Sequence, residues 1–199
     1  RAFFSPGDRR GARHALGLGS GPMLLFVGRI QPLKGLDVAV RTLAELGRND
    51  AQLIVVGGAS GVEGAIELAR VEALIQELGL VDRVKFYEPQ PHHLLSTFYR
   101  AADVVLVPSR SESFGLVALE AAACGIPVVA TAVGGLMNLI EDGKTGFLVP
   151  GRDVAGFARY TRRLLDDSLL AISMGTAAAH RAQSYSWKSA ALKARSVYT

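Results

Sequence analysis

Apolar residues in this chain come in short unbroken runs. Each run is followed by a polar, glycine-rich loop, and then by a stretch where apolar residues recur every three or four positions. The runs are Met23–Val27, Leu53–Val56, Val84–Phe86, Val104–Val107, Val128–Ala130 and Gly146–Val149. Unbroken apolar character predicts strands covered on both faces, as parallel strands are. Helical spacing marks Leu36–Leu46, Glu63–Leu78, His92–Ala102 and the segment from Phe114 to Ala123, with further helices near 154–166, 168–182 and 187–198. Strands alternating with helices predict an α/β fold, a Rossmann-like doubly wound parallel sheet with C-terminal helices. Residues 1–21 read as a linker-like lead-in, with a turn at Ser5-Pro6-Gly7-Asp8 and a short helix at Arg9–Leu16. Residues 22–182 read as the sheet domain and 183–199 as a closing helix.

Composition narrows the picture. A chain of 199 residues, 49% hydrophobic and 20% charged, can bury a core as one domain. The net charge of +4 is spread along the chain apart from Arg9-Arg10-Arg13 and Arg159-Arg162-Arg163. That excludes a nucleic-acid stripe and suits a small anionic ligand. The single cysteine, Cys124, excludes a disulfide framework and favours a reducing compartment, so a cytoplasmic location is expected. Its helical, apolar context reads as a buried structural thiol. No apolar run approaches the ~18 residues that would span a membrane, which leaves room only for peripheral membrane contact. The first residues lack a signal peptide's apolar region and read as the interior of a longer chain.

In a doubly wound sheet, ligands bind beyond the carboxyl ends of the strands, and the candidate groups all fall in loops there. The stretch RSESFGLVALEAAAC at 110–124 is the most informative. Ser113 reads as an N-cap with the helix running from Phe114, so Ser113 and Glu120 share a face about two turns, roughly 10 Å, apart. A helix start suits a phosphate. A glutamate two turns on can accept hydrogen bonds from a vicinal diol, so the pattern fits a nucleotide-sugar. An ordinary surface helix with two solvated glutamates, Glu112 and Glu120, fits the spacing equally well. After the first strand, Arg29 offers a planar fork for phosphate oxygens and Lys34 a mobile point charge. Gly28 and Gly35 permit close approach and Pro32 stiffens the loop. Two solvated loop cations are the alternative there.

Other features carry less. Neither the Walker A loop nor the G-x-G-x-x-G fingerprint is present. Gly57-Gly58-Ala59-Ser60-Gly61 reads as a flexible connection, whereas the Gly134-Gly135 loop lies closer to the presumed ligand. His92-His93 point about 100° apart on a helix and have no third ligand nearby, so no metal site is expected. Ser109, Ser111 and Ser113 do not form G-x-S-x-G, which excludes that hydrolase pattern.

Four segments taken together resemble glycosyltransferase family 4. They are V-G-R-I-x-P-x-K-G at 27–35, ESFGLVALE at 112–120, AACGIPVVA at 122–130 with V-G-G at 133–135, and D-G-x-T-G-F-L-V at 142–149. The resemblance covers nearly the whole chain. It implies the C-terminal, donor-binding half of a retaining transferase with the two-Rossmann GT-B architecture, whose donor is a UDP-sugar. It further implies that Arg29 and Lys34 contact the diphosphate, Glu112 the hydroxyls of the transferred sugar, and Glu120 the ribose. Backbone N–H groups of Ser113, Phe114, Gly115 and Leu116 would serve sugar and phosphate, and the backbone of Gln90 the base. No cofactor is required. In one branch of the family a magnesium ion is associated with backbone at the positions of Tyr99, Arg100 and Ala102, and a structural role there is the most it implies. The acceptor-binding N-terminal half would be the missing partner, to which 183–199 would return. The chain departs from the G-G-x-P-E of many relatives at Met137 and Asn138.

Rival readings predict other features. A nucleotide-sugar 2-epimerase shares the architecture but needs a distinct acid/base set. A non-catalytic interaction module such as a receiver domain would carry an acidic pair where Gly28-Arg29 stands. A dinucleotide dehydrogenase needs the missing glycine fingerprint.

Overall fold

The computed structural model describes residues 3–185. Six strands form one sheet: β1 (Met23–Val27), β2 (Gln52–Val56), β3 (Val84–Tyr87), β4 (Val104–Val107), β5 (Val128–Thr131) and β6 (Phe147–Val149). They lie in the order β3-β2-β1-β4-β5-β6. Every pairing is parallel. The helices are α1 (Arg9–Ala15), α2 (Leu36–Glu45), α3 (Gly61–Glu77), α4 (His92–Ala101), α5 (Leu116–Ala123), α6 (Gly134–Leu139), α7 (Val154–Asp166) and α8 (Ser168–Ala182). A doubly wound α/β sheet is what the alternation of apolar runs and helical spacing predicts.

The continuous apolar runs are explained by two separate cores. Alternate residues of each strand point to opposite faces. Leu24, Phe26, Leu53, Val55, Val104, Leu106 and Val129 pack with α2, α3 and α7 on one side. Met23, Leu25, Ile54, Val56, Val105, Val107 and Val128 pack with α1, α4, α5 and α6 on the other. In the central strands β1, β2, β4 and β5 nearly every position therefore faces a core, whereas the edge strand β3 leaves Lys85 and Phe86 exposed. Each core-facing side chain supplies about 1.5–3 kcal/mol by leaving water.

The segment before β1 is docked on this sheet. Asp8 caps α1 by accepting from the backbone of Arg10 and Gly11. Arg9 and Arg13 both pair with Asp103 at the start of β4, at 2.8 and 2.6 Å. At the other end of the described chain, a single 3-10 turn at Gln183–Tyr185 follows α8. The helix expected over 187–198 lies outside the described residues.

The strand order reverses direction between β1 and β4. β1 is followed in sequence by β2 on one side, and β4 by β5 on the other. The loops after β1 and β4 therefore leave the sheet in opposite senses and open a crevice between them. Arg29 and Lys34 lie on the first of these loops, Glu112 to Leu116 on the second.

Candidate functional site

The crevice loops are fastened to each other by backbone. Gly35 ends the 3-10 turn Pro32–Lys34 with φ +73° and begins α2. A Cβ there would collide with the Pro108 carbonyl oxygen, so glycine is required for this close approach. Arg110 N donates to the Leu33 carbonyl at 2.8 Å, completing the tie.

This fastening brings two sequence-distant charges into contact. Lys34 Nζ donates to Glu112 Oε2 at 2.8 Å. Both side chains are largely buried, at 21% and 18% exposure. The other carboxylate oxygen, Glu112 Oε1, accepts from Gly115 N at 3.4 Å. A cation suited to phosphate and a carboxylate suited to sugar hydroxyls thus meet across the switch point. Neither spacing nor periodicity links them, since they are 78 residues apart.

The helix after β4 begins later than its sequence suggests. Ser113 reads as an N-cap with the helix from Phe114, but α5 starts at Leu116 and Gly115 is the N-cap, with φ +90°. Ser113 and Phe114 lie in the loop, exposed, and Ser113 does not share a helical face with Glu120. The reason is backbone geometry: the left-handed turn at Gly115 reverses the chain where a serine cap would have needed an extended residue. No side chain caps α5, so its first N–H groups have no side-chain acceptor. Free N–H groups at a helix start, with the helix dipole, suit an anion.

The glycines after β5 and β2 are likewise used for packing. Gly134-Gly135 form the first turn of α6, not a free loop. A Cβ on Gly134 would strike the Glu112 carbonyl, and Gly135 N donates to that same oxygen at 2.8 Å. The glycines hold the Glu112–Phe114 backbone in place. Gly57 is pressed against the Gly28 carbonyl in the same way. Ile30 N donates to Gly58 O at 2.9 Å, so the 57–61 segment is pinned to the β1 loop and is not the flexible connection its composition suggests.

Arg29 and Gln90 sit at the ends of β1 and β3 and line one open groove of about 410 Å³, together with Val27, Gly58 and Leu95. Arg29 is exposed, and among the described residues it has no carboxylate partner. The Gln90 side chain is turned back to donate to the Glu88 carbonyl at 2.9 Å. Lys34, Glu112 and Glu120 are not part of that groove's lining.

Glu120 is half-buried on α5, and its Oε2 accepts from the Tyr99 hydroxyl at 2.7 Å. Burial raises the Glu120 carboxyl above its ordinary value, and the Tyr99 hydrogen bond partly offsets this. Burial, then the neighbouring Glu120 charge, pushes the Tyr99 phenol well up. The Cys124 thiol, buried as its apolar context predicts, is pushed up to about 11 by desolvation.

Several contacts at the site escape a reading of the sequence. Asp37, buried in the first turn of α2, pairs with Arg152 from the loop after β6. It also lies 3.5 Å from Arg70 of α3, which pairs with the buried Glu67 at 2.7 Å. This network anchors the start of α2, and with it the Lys34 turn, to two other elements. Among the described residues, Gln31 Oε1 and Thr131 Oγ1 are buried without a partner in crevice-side segments. A tyrosine on the buried face of α4 was the one available signal, because a buried hydroxyl requires an acceptor.

At the backbone of Tyr99, Arg100 and Ala102, one carbonyl is engaged within the chain. The Tyr99 carbonyl accepts from Ala102 N at 3.0 Å. The neighbouring Ala101 carbonyl accepts from the Arg13 guanidinium at 2.9 Å. Among the described residues no cluster of three His, Cys, Asp or Glu side chains could hold a metal. No described helix is long and apolar enough to cross a membrane.

Comparison with known proteins places this geometry in context. The family described as "Glycosyl transferases group 1" matches residues 9–181. A D-inositol 3-phosphate glycosyltransferase of Acidothermus cellulolyticus is 50% identical over 193 residues, covering 94% of this chain and 43% of that protein. The corresponding protein of Nocardia farcinica is 50% identical, with 92% and 42% covered. The chain thus spans somewhat under half the length of these curated relatives. Among solved structures, a sucrose-phosphate synthase from Thermosynechococcus elongatus superposes with a TM-score of 0.90 at 39% identity, over 98% of this chain and 49% of that one. Anabaena HepE, solved in complex with UDP and glucose, gives 0.83 at 30% identity, covering 89% and 48%.

Proposed function

The chain belongs to the group 1 glycosyl transferases, and we propose that it is the donor-binding half of a retaining enzyme that transfers a glycosyl group from a UDP-sugar to an acceptor hydroxyl. The observation that carries this reading is the Lys34–Glu112 contact at 2.8 Å across the β1/β4 switch point. It joins a cation that suits phosphate to a carboxylate that suits hydroxyls, beside a helix start without a side-chain cap. The UDP and glucose complex of HepE supports a uridine donor. In this reading residues 22–182 are the nucleotide-sugar domain, with 1–21 joining it to an acceptor domain towards which 183–199 returns.

The roles follow from charge and position. Lys34 and Arg29 neutralise the diphosphate as negative charge grows on the leaving group. The backbone N–H groups from Ser113 to Leu116 serve phosphate and sugar, Glu112 accepts from the sugar hydroxyls, Glu120 accepts from the ribose diol, and the backbone of Gln90 meets the base. Glu112 keeps acceptor capacity on Oε1 for the sugar, while Lys34 turns part of its bonding from Glu112 to the diphosphate. Arg and Lys supply the charge a divalent cation would otherwise supply. The isolated chain binds nucleotide and turns over little, because acceptor positioning is absent. The full-length enzyme is expected in the cytoplasm.

Calorimetric titration with UDP, GDP and ADP tests this on the wild type, Lys34→Ala and Glu120→Ala. UDP should bind most tightly and both substitutions should weaken it. Absence of nucleotide binding, or unchanged affinity in both variants, sinks the assignment.

A further inference from the structure

Glu120 is held from one side only, by a residue that cannot move with it. Tyr99 is 0% exposed, and its ring is packed among the α4–α5 core residues. The Phe4 ring meets it edge-on at 5.7 Å. Its hydroxyl donates to Glu120 Oε2 at 2.7 Å. A tyrosine locked in a core has no freedom to follow a carboxylate, whereas a glutamate's terminal torsion is broad and settles wherever a donor fixes it. Among the described residues no other side chain or backbone N–H donates to Glu120, so Oε1 is the oxygen left for an incoming donor.

We propose that Tyr99 is a positioning residue for nucleotide recognition: its buried hydroxyl fixes one oxygen of Glu120 so that the other accepts the 2′- and 3′-hydroxyls of a ribonucleoside diphosphate. The inference rests on the donor-site reading of Glu120 given above. It adds a specific consequence, that preference for ribose over a sugar lacking those hydroxyls originates partly in the core behind the site. Tyr99 touches no substrate and acts wholly through Glu120.

The test is calorimetry with UDP and 2′,3′-dideoxy-UDP on the wild type, Tyr99→Phe, Glu120→Ala and the double variant. Wild type should prefer UDP. Tyr99→Phe should weaken UDP about tenfold while leaving dideoxy-UDP within about twofold, and should add no further loss to Glu120→Ala, as expected for groups acting as a unit. Equal losses on both nucleotides would mean that Tyr99 only supports the fold, and no loss on UDP would mean that Glu120 needs no fixing. Either result overturns the proposal while leaving the donor site standing. If wild type fails to distinguish the two nucleotides, or Glu120→Ala binds like wild type, the donor-site reading falls and this inference with it. Glu120→Asp covers the case in which Tyr99→Phe does not fold. It withdraws the carboxylate by one methylene without touching the core, and retention of the ribose preference in that variant also refutes the proposal.

Discussion

Lys34→Ala and Glu112→Gln should act in opposite directions on nucleotide affinity, although the two residues form one ion pair. The pair is 2.8 Å long with both side chains about four-fifths buried. It is therefore not the screened surface bridge that contributes next to nothing. A hydrogen bond to a charged group contributes about 1.5–3 kcal/mol, equivalent to roughly 10–150-fold in a dissociation constant. Lys34→Ala removes that contribution to the diphosphate. It also leaves the Glu112 charge opposing the phosphates, so UDP affinity should fall by at least the lower end of that range. UMP, which lacks the second phosphate, should lose much less. Glu112→Gln keeps the shape and removes the competing charge, so UDP should bind as well as to wild type or more tightly. UDP-glucose should lose whatever advantage it holds over UDP. Titration calorimetry with UMP, UDP and UDP-glucose reads all three effects. Lys34 has no part in holding the diphosphate if Lys34→Ala binds UDP within twofold of wild type or if UMP and UDP lose equally, and Glu112 does not oppose it if Glu112→Gln weakens UDP as much as Lys34→Ala does.

Two further outcomes follow from the same geometry. Burial raises the Glu120 carboxyl, so the folded protein holds that proton to higher pH than the unfolded chain does. Stability from this group is therefore full below the unfolded value of about 4.3 and is lost as pH rises through the folded value. Wild type should lose stability relative to Glu120→Gln as pH rises above the ordinary carboxylate range in urea unfolding; a difference that does not change with pH contradicts the assignment. Gly134→Ala must both adopt a left-handed backbone and displace the Glu112 carbonyl. It should cost about 2 kcal/mol or more and lower the Tm by roughly 4–8 °C. Gly143→Ala meets nothing within 4 Å at a similar φ of +75° and should cost only about half as much. Equal losses in the two variants would show that the loop contact at Gly134 carries no weight.

The sheet was legible in the sequence because its strands are buried on both faces, leaving unbroken runs such as Val104–Val107 that have no polar alternative. Helix bounds were legible to within a residue or two wherever an amphipathic face set them, as in α2 and α4. The helix after β4 was not, because Ser113 offers a cap that the left-handed turn at Gly115 overrides. Gly134 and Gly135 look like a loop in sequence, yet their lack of a Cβ serves contact with the Glu112–Phe114 backbone. Of the candidate residues, Lys34 and Glu112 meet across the strand-end loops, Arg29 and Gln90 line a separate groove, and Glu120 lies within α5. The pairings were not legible in the sequence. Lys34 with Glu112, Tyr99 with Glu120 and Asp37 with Arg152 join residues 78, 21 and 115 positions apart. Such pairings are set by strand order and by which helix faces meet, and no local periodicity encodes them.

The most direct test of the central claim is a crystal structure of the chain with UDP bound. The nucleotide should lie in the crevice between the loops after β1 and β4. Its diphosphate should lie within hydrogen-bond reach of Lys34, Arg29 and the start of α5, its ribose hydroxyls on Glu120, and its base beside the Gln90 backbone. UDP bound outside this crevice, or bound within it while the Lys34–Glu112 pair stays closed and Glu120 meets no ribose, would contradict the account.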